Sequence, residues 1–166
     1  MLVLITGDFG VGKDTFADYL LENLEDSIKI PSYTSREPRY EGENTHTFAT
    51  KEDFIKDYDD KNIIAWTMIH NEYYWTTKQQ FGKHKHELYI VDDIGLRDVI
   101  KSHFFDDYIV IEIIRSEHLI HIDEQRKNRK RMKKVDCKKY INLTILNDGS
   151  LTRLYKIAEH IASCLE

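Results

Sequence analysis

The stretch Leu2–Leu24, LVLITGDFGVGKDTFADYLLENL, decides the fold. Its apolar run at 2–5 (LVLI) is the pattern of a strand buried on both faces of a parallel sheet. From Asp14 the period changes: Phe16, Leu20 and Leu24, flanked by Ala17 and Leu21, recur at helical spacing. Between strand and helix stands GDFGVGK, which fits Gly-x4-Gly-Lys and departs only at the next position, where Asp14 replaces the usual Ser or Thr. Such a loop curls successive backbone N–H groups around phosphate oxygens, sets the positive end of the helix against them and brings the lysine to the same charge. The candidate phosphate-binding residues are therefore Gly7, Gly10, Val11, Gly12, Lys13, Asp14 and Thr15. Asp14 offers a carboxylate to Mg²⁺ but adds negative charge beside phosphates, and Thr15 offers a hydroxyl; the sequence leaves that choice open.

Working outward, apolar runs at 88–91 (LYIV), 108–114 (YIVIEII) and 141–146 (INLTIL) predict three more strands. A helical stretch from about Leu96 to Phe104 separates the first two. A final amphipathic helix carries Leu151, Leu154, Ala158, Ile161 and Leu165 on one face. Strands alternating with helices imply an α/β fold with a central parallel sheet and right-handed crossovers. Residues 30–80 read differently, with short aromatic runs (HTF, IIAW, YYW) and a helical piece near 51–57, and predict a small, partly antiparallel insertion. Asp92 ends LYIVD at the carboxyl edge of a strand, where open α/β sheets place ligands. It is a candidate metal-supporting acid or the N-cap of the next helix. The D-x-x-G at 92–95 has no guanine-reading Asn-Lys-x-Asp to accompany it and is treated as chance.

Composition narrows the function classes. The chain has 166 residues, 41% of them hydrophobic and 32% charged, which fits one ordinary globular domain. No apolar run approaches the roughly 18 residues of a membrane span, and the amino-terminal residues read as part of the fold rather than as a signal peptide. Two cysteines without metal-like spacing suggest a reduced, cytoplasmic compartment. A net charge of −5 argues against a general nucleic-acid binder. Even so, nine Lys or Arg against the single acid Asp136 lie between Arg126 and Lys139, a pattern open to a solvated helix face, a nucleic-acid patch or a phosphate-facing lid. The histidine pairs His84/His86 and His118/His121 lack a third metal ligand at suitable spacing.

Residues 32–54, SYTSREPRYEGENTHTFATKEDF, resemble the acceptor-binding segment of the guanylate kinase family, which runs Ser-x-Thr-Thr-Arg-x-Pro-Arg, Gly-Glu, an aromatic pair and a Glu-Glu-Phe helix start. The resemblance continues through IIAWTMIHNEYYWTTK (63–78), IVDD (90–93) and YINLTILNDGSLTRLYKIAEHI (140–161). It implies a P-loop kinase that moves the γ-phosphoryl of ATP, with Mg²⁺, to a small phosphorylated acceptor, a nucleoside monophosphate. The implied division is a core of residues 1–31, 82–116 and 140–166, an acceptor-binding subdomain 32–81 and a helical lid 117–139. Matched by position, Ser32, Arg36, Arg39, Tyr74 and Thr76 fall on acceptor-binding residues; Asp14 and Asp92 remain the metal candidates offered by the loop and the strand end. Lys13, Arg36 and the lid residues Arg126 and Arg131 fall on catalytic ones. Independently, two arginines three apart in a loop suit a bidentate grip on phosphate.

The departures bear on the acceptor base. The family's glutamate that pairs with guanine is Ala65 here, a tyrosine is His46, a glycine is Trp75, and a second acid is Ile94 unless Asp93 substitutes. Losing polar partners of a base relaxes or redirects its selection. Within the fold, Gly-Lys-Asp and Gly-Glu-Asn also resemble ribose 1,5-bisphosphate phosphokinases, although the second arginine of Arg-x-Pro-Arg is kept. Gly-Lys-Asp-Thr resembles viral deoxynucleoside-monophosphate kinases as well, and related domains also serve as non-catalytic binding modules.

Overall fold

The structure is a computed structural model that describes residues 1–120 and 135–166. Its central sheet has five strands in the order β2-β7-β1-β8-β9, every neighbouring pair parallel. These are β1 (Leu2–Thr6), β2 (Ser27–Lys29), β7 (His86–Ile90), β8 (Tyr108–Ile114) and β9 (Leu143–Leu146). The strand β1 lies at the centre, in register with β7 at Leu2↔Glu87 and with β8 at Leu2↔Tyr108. Its alternating side chains enter two different cores. Val3 and Ile5 join Phe16, Ala17 and Leu20 of α1 (Lys13–Asn23), with Leu154, Ala158 and Ile161 of α4 (Leu151–Leu165). Leu2 and Leu4 join Leu96 and Val99 of α3 (Asp93–Lys101), with Ile64 and Ala65. An apolar run without alternation is what a strand covered on both faces requires.

The sequence-derived strands and helices that fall within the described residues are present, with shifts at their ends, while the helix expected in the basic segment of the lid lies outside them. The helix expected from Leu96 begins at Asp93, because the Asp92 carboxylate caps it by accepting from the Gly95 N–H at 2.7 Å. That helix ends at Lys101, leaving Phe104 exposed. The strand expected from Ile141 begins at Leu143. Leu151, assigned to the buried face of the last helix, is 65% exposed: it opens the first turn after the Ser150 cap, before the helix meets the sheet. The edge strand β2 was not anticipated, since three half-buried residues carry no periodic signal.

Residues 30–80 build a second sheet in the order β4-β3-β6-β5, from β3 (Tyr33–Thr34), β4 (Thr47–Phe48), β5 (Ile63–Ile69) and β6 (Glu72–Thr77). It is mixed: β3 pairs parallel with β4 but antiparallel with β6, and β5 and β6 form a hairpin. The hairpin turns on His70 and Asn71, both at positive φ (51° and 65°), as a two-residue loop with the twist of its strands demands. The helix α2 (Lys51–Asp59), closed by a Thr50–Asp53 capping box, lays Phe54 flat on Tyr73 at 3.9 Å between ring centroids. Trp75, fully buried, stacks on Tyr33 and donates its indole N–H to Asp57 at 2.9 Å. No helix among the described residues is long and apolar enough to cross a membrane.

One buried group makes the fold sensitive to acid. His86, at the start of β7, is 2% exposed and neither ring nitrogen has a hydrogen-bond partner among the described residues; Oε1 of Glu166 lies 3.6 Å from Nε2. Burial lowers its pKa, as it does for His46. An unfolded histidine titrates near ~6.5, so below that pH the unfolded state binds protons that the folded state refuses. Stability is therefore lost as pH falls from about 6.5 towards the folded values, by at most about 1.4 kcal/mol per pH unit for each such histidine. Urea midpoints should drop between pH 7.5 and 5.5, and His86→Leu should flatten that drop; an unchanged slope in the variant would show that His86 is not the group responsible.

Candidate active site

The turn out of β1 is governed by close backbone approach. Gly7 has φ +137°, and a Cβ there would stand 2.1 Å from the Ile113 carbonyl oxygen of β8. Gly12, the N-cap of α1, has φ +98°, and its Cβ would stand 2.6 Å from Nδ2 of Asn147. Only glycine fits either place. Asn147 follows β9 and donates Nδ2 to the Val11 carbonyl at 2.8 Å, tying the loop to the far side of the sheet. Gly10 also has positive φ, at 77°. The cap at Gly12 uses no side chain, so the amino end of α1 faces the loop with backbone alone.

Lys13 folds back across this loop, donating from Nζ to the carbonyls of Gly7 at 2.9 Å and Asp8 at 2.8 Å. Burial lowers its pKa, while Asp14, Asp8, Asp92 and Asp93 pull it the other way. Thr15 is half-buried on the first turn of α1. The Asp14 carboxylate is 82% exposed and lies 3.9 Å from Nζ of Lys29, which itself sits 2.6 Å from Asp18. Asp92 follows β7, beside the loop, because the Val91 N–H continues the sheet to the Ile5 carbonyl at 2.9 Å. Burial raises the pKa of Asp92, against the backbone N–H of Gly95. The N-cap reading and the position at the carboxyl edge of the sheet are thus both true of Asp92. Among the described residues no group of three or more His, Cys, Asp or Glu is arranged to hold a metal. Mg²⁺ in phosphate sites keeps mainly phosphate and water oxygens and needs one or two carboxylates, and a partly desolvated Asp92 meets that requirement.

The second cluster lies on the small sheet. Arg36, after β3, makes a bidentate pair with Glu43: Nη1 to Oε2 at 2.9 Å and Nη2 to Oε1 at 2.6 Å. The two side chains are 11% and 1% exposed. Glu43 also accepts from the Arg39 backbone N–H at 2.7 Å and the Thr45 hydroxyl at 2.7 Å. Hydrogen bonding from Arg36 first, then from the Arg39 backbone, holds the Glu43 carboxyl far below the usual carboxylate range and raises the pKa of Arg36. The Arg36 guanidinium lies over the Phe48 ring at 5.2 Å, with Tyr74 close enough to raise its pKa further. The Arg39 side chain stays 43% exposed. Ser32 Oγ lies 2.8 Å from Nδ1 of His46, whose ring meets Tyr74 edge-on at 5.4 Å.

Ser32, Arg36, Arg39 and Tyr74 are thus gathered around one carboxylate and one imidazole. Thr76 differs: it is fully buried, and its hydroxyl donates to that of Tyr89 at 3.3 Å. Burial pushes the Tyr89 pKa up to about 12. Ala65 is buried within the core beneath α3. Arg126 and Arg131 lie outside the described residues. The sequence reading assigned no role to Glu43, although an acid four to seven residues beyond two loop arginines is a usable signal. Asn147 gave no signal at all, since its partner is 136 positions away in the chain.

A parallel sheet whose central strand runs through a glycine loop into a helix, with a second phosphate-suited cluster on an inserted sheet, defines a P-loop kinase fold. The known proteins it resembles agree. A guanylate kinase of Helicobacter pylori is 27% identical over 152 residues, covering 88% of this chain and 70% of that one. Guanylate kinases of Mesomycoplasma hyopneumoniae and Chlamydia felis are 30% and 32% identical over 109 and 101 residues, covering 61% and 57% of this chain and 55% and 50% of theirs. The crystal structure of guanylate kinase from Anaplasma phagocytophilum superposes with a TM-score of 0.67 at 22% identity, covering 99% of this chain and 83% of that one. No family model matches the chain. The chain is thus similar in sequence to guanylate kinases and shares their fold.

The loop geometry is testable by comparing glycines. Gly82 has φ +82° with open space where a Cβ would go. Gly82→Ala should cost only the left-handed penalty, about 1–2 kcal/mol. Gly7→Ala adds a collision with the Ile113 carbonyl and should lower the melting temperature well beyond that. Equal losses in calorimetric melts would refute the close approach.

Proposed function

We propose that the protein is an ATP-dependent nucleoside monophosphate kinase of guanylate kinase type. One observation carries the reading: a single chain holds a glycine loop with its lysine and, on a separate sheet, an arginine pre-set by a buried carboxylate beside a second arginine and a tyrosine. Two phosphate-suited sites in one chain fit transfer between two phosphorylated substrates.

The loop Gly7–Thr15, including Gly10, Val11, Gly12, Lys13 and Asp14, holds the donor phosphates. Lys13 exchanges its two carbonyl partners for phosphate oxygens, and a lysine already partly desolvated gives up less water in doing so. Ser32, Arg36, Arg39 and Tyr74 form the acceptor site, while Thr76, whose buried hydroxyl is spent on Tyr89, stays outside it; Arg36 and Arg39 hold the acceptor phosphate, while Glu43 fixes the guanidinium plane of Arg36. Mg²⁺, when bound by the nucleotide and supported by Asp92, with Asp14 or Thr15, supplies charge neutralisation on the transferring group. The protein's own contribution is positioning and electrostatic stabilisation, which dominate phosphoryl transfer. Residues 117–139 are assigned as the lid over the core, with Arg126 and Arg131 closing on the reacting phosphates, and 32–81 as the acceptor subdomain.

GMP is the first acceptor to test, since the relatives above are guanylate kinases. They favour a nucleotide kinase over the ribose 1,5-bisphosphate phosphokinase and binding-module readings. With Ala65 where the family has glutamate, other nucleoside monophosphates belong in the same assay. ATP consumption with Mg²⁺ should show turnover of at least one of them. Lys13→Met should abolish it, and intact turnover in that variant would sink the assignment. Arg36→Ala should raise the acceptor KM about 10- to 100-fold, as expected for a lost charge-assisted hydrogen bond, with the ATP KM nearly unchanged. An equal rise in both would instead mean that Arg36 is not confined to the acceptor side.

A further inference from the structure

His46 stands inside the acceptor cluster and has no task in the reading above. The parallel pairing of β3 with β4 places it: the Thr47 N–H donates to the Ser32 carbonyl at 3.0 Å, bringing the imidazole alongside the Ser32 hydroxyl. The charges that act on it most strongly belong to the same cluster. Arg36, Arg39 and Glu43 act on His46 through their charges, and Tyr74 of β6 packs edge-on against its ring. With Glu43 ionised, the two arginines leave this pocket one positive charge in excess, and the half-buried imidazole is kept neutral by burial first and by Arg36 next.

A phosphate monoester reverses that balance. Above pH about 7 it arrives as a dianion, because its second ionisation lies near ~6. The pocket then turns net negative, and an imidazolium beside it becomes favourable. We propose that acceptor binding is coupled to protonation of His46, so that the acceptor complex takes up a proton which the free protein does not hold. This rests on the nucleoside monophosphate reading of the same site. Nδ1–H of the imidazolium donates to Ser32 Oγ, which leaves the serine hydroxyl proton free to donate to the ligand. Between the free and bound pKa values of His46, affinity falls by up to about tenfold per pH unit as pH rises. Ser32 and His46 therefore act as one proton-linked unit of the acceptor site.

Calorimetric titration with GMP, AMP, CMP and dTMP, in Tris and in HEPES at pH 7.2, reads proton uptake directly from the difference in heats. The wild-type protein should take up a substantial fraction of one proton with whichever nucleotide binds, and its Kd should weaken from pH 7 to 8. His46→Gln and His46→Tyr, each checked by thermal melting, should bind with no uptake and a flat Kd over that range. A wild-type complex that takes up no proton, or an uptake that survives in His46→Gln, overturns the coupling and leaves the kinase reading standing. Failure of every nucleotide to bind overturns both.

Discussion

A backbone that passes against the Ile113 carbonyl has no room for a side chain at position 7, and the rest of the molecule is arranged around that passage. β1 can feed a helix directly above the sheet only by turning in the space between β7 and β8, its parallel neighbours on either side. Asn147 closes the turn from the end of β9, so the loop is tied to the sheet from outside as well as by Lys13 from within. Phe16, Ala17 and Leu20 then anchor α1 on the sheet, and the loop's N–H groups are presented in a fixed direction. Preorganisation of this kind is what an electrostatic site needs, because dipoles that must be reoriented on binding stabilise less.

The second site obeys a different constraint. A guanidinium as buried as that of Arg36 would be costly without a partner, and Glu43 takes both of its Nη groups in a fork-to-fork pair. The carboxylate in turn needs several donors, which it takes from Arg39, Thr45 and Arg36 together. A loop from residue 36 to 45 is thus shaped by one acid at its centre. Arg36 is not a free solvated cation, because its geometry is already set by the fold, whereas the Arg39 side chain is tied only loosely to the same acid.

The sequence revealed the first site far better than the second, for physical reasons. A glycine loop between a doubly buried strand and an amphipathic helix is local, and every residue that defines it lies within Leu2–Leu24. The strands at 88–91 and 108–114 were equally legible, because burial on both faces leaves an unbroken apolar run. Resemblance to a family, rather than periodicity, singled out Arg36, Arg39 and Tyr74. Neither route found that Thr76 would spend its hydroxyl on Tyr89, or that Leu151 would stay in solvent. Those outcomes depend on how two sheets and a helix meet, and no spacing along the chain encodes that meeting. The three-residue β2 takes its strand pairing from β7, so it left no mark in the pattern of its own residues.

The two tryptophans, Trp66 and Trp75, both lie in the β5–β6 hairpin. Trp75 is sealed between Tyr33 and Phe54 with its indole bonded to Asp57, whereas Trp66 is over a third exposed. Indole emission from the native chain is therefore a local optical signal of the small sheet, with one shielded and one wet fluorophore. It reports directly on neither the glycine loop nor α4, so an unfolding curve followed by fluorescence describes the small sheet, and its agreement with circular dichroism measures how tightly that sheet is coupled to the central one.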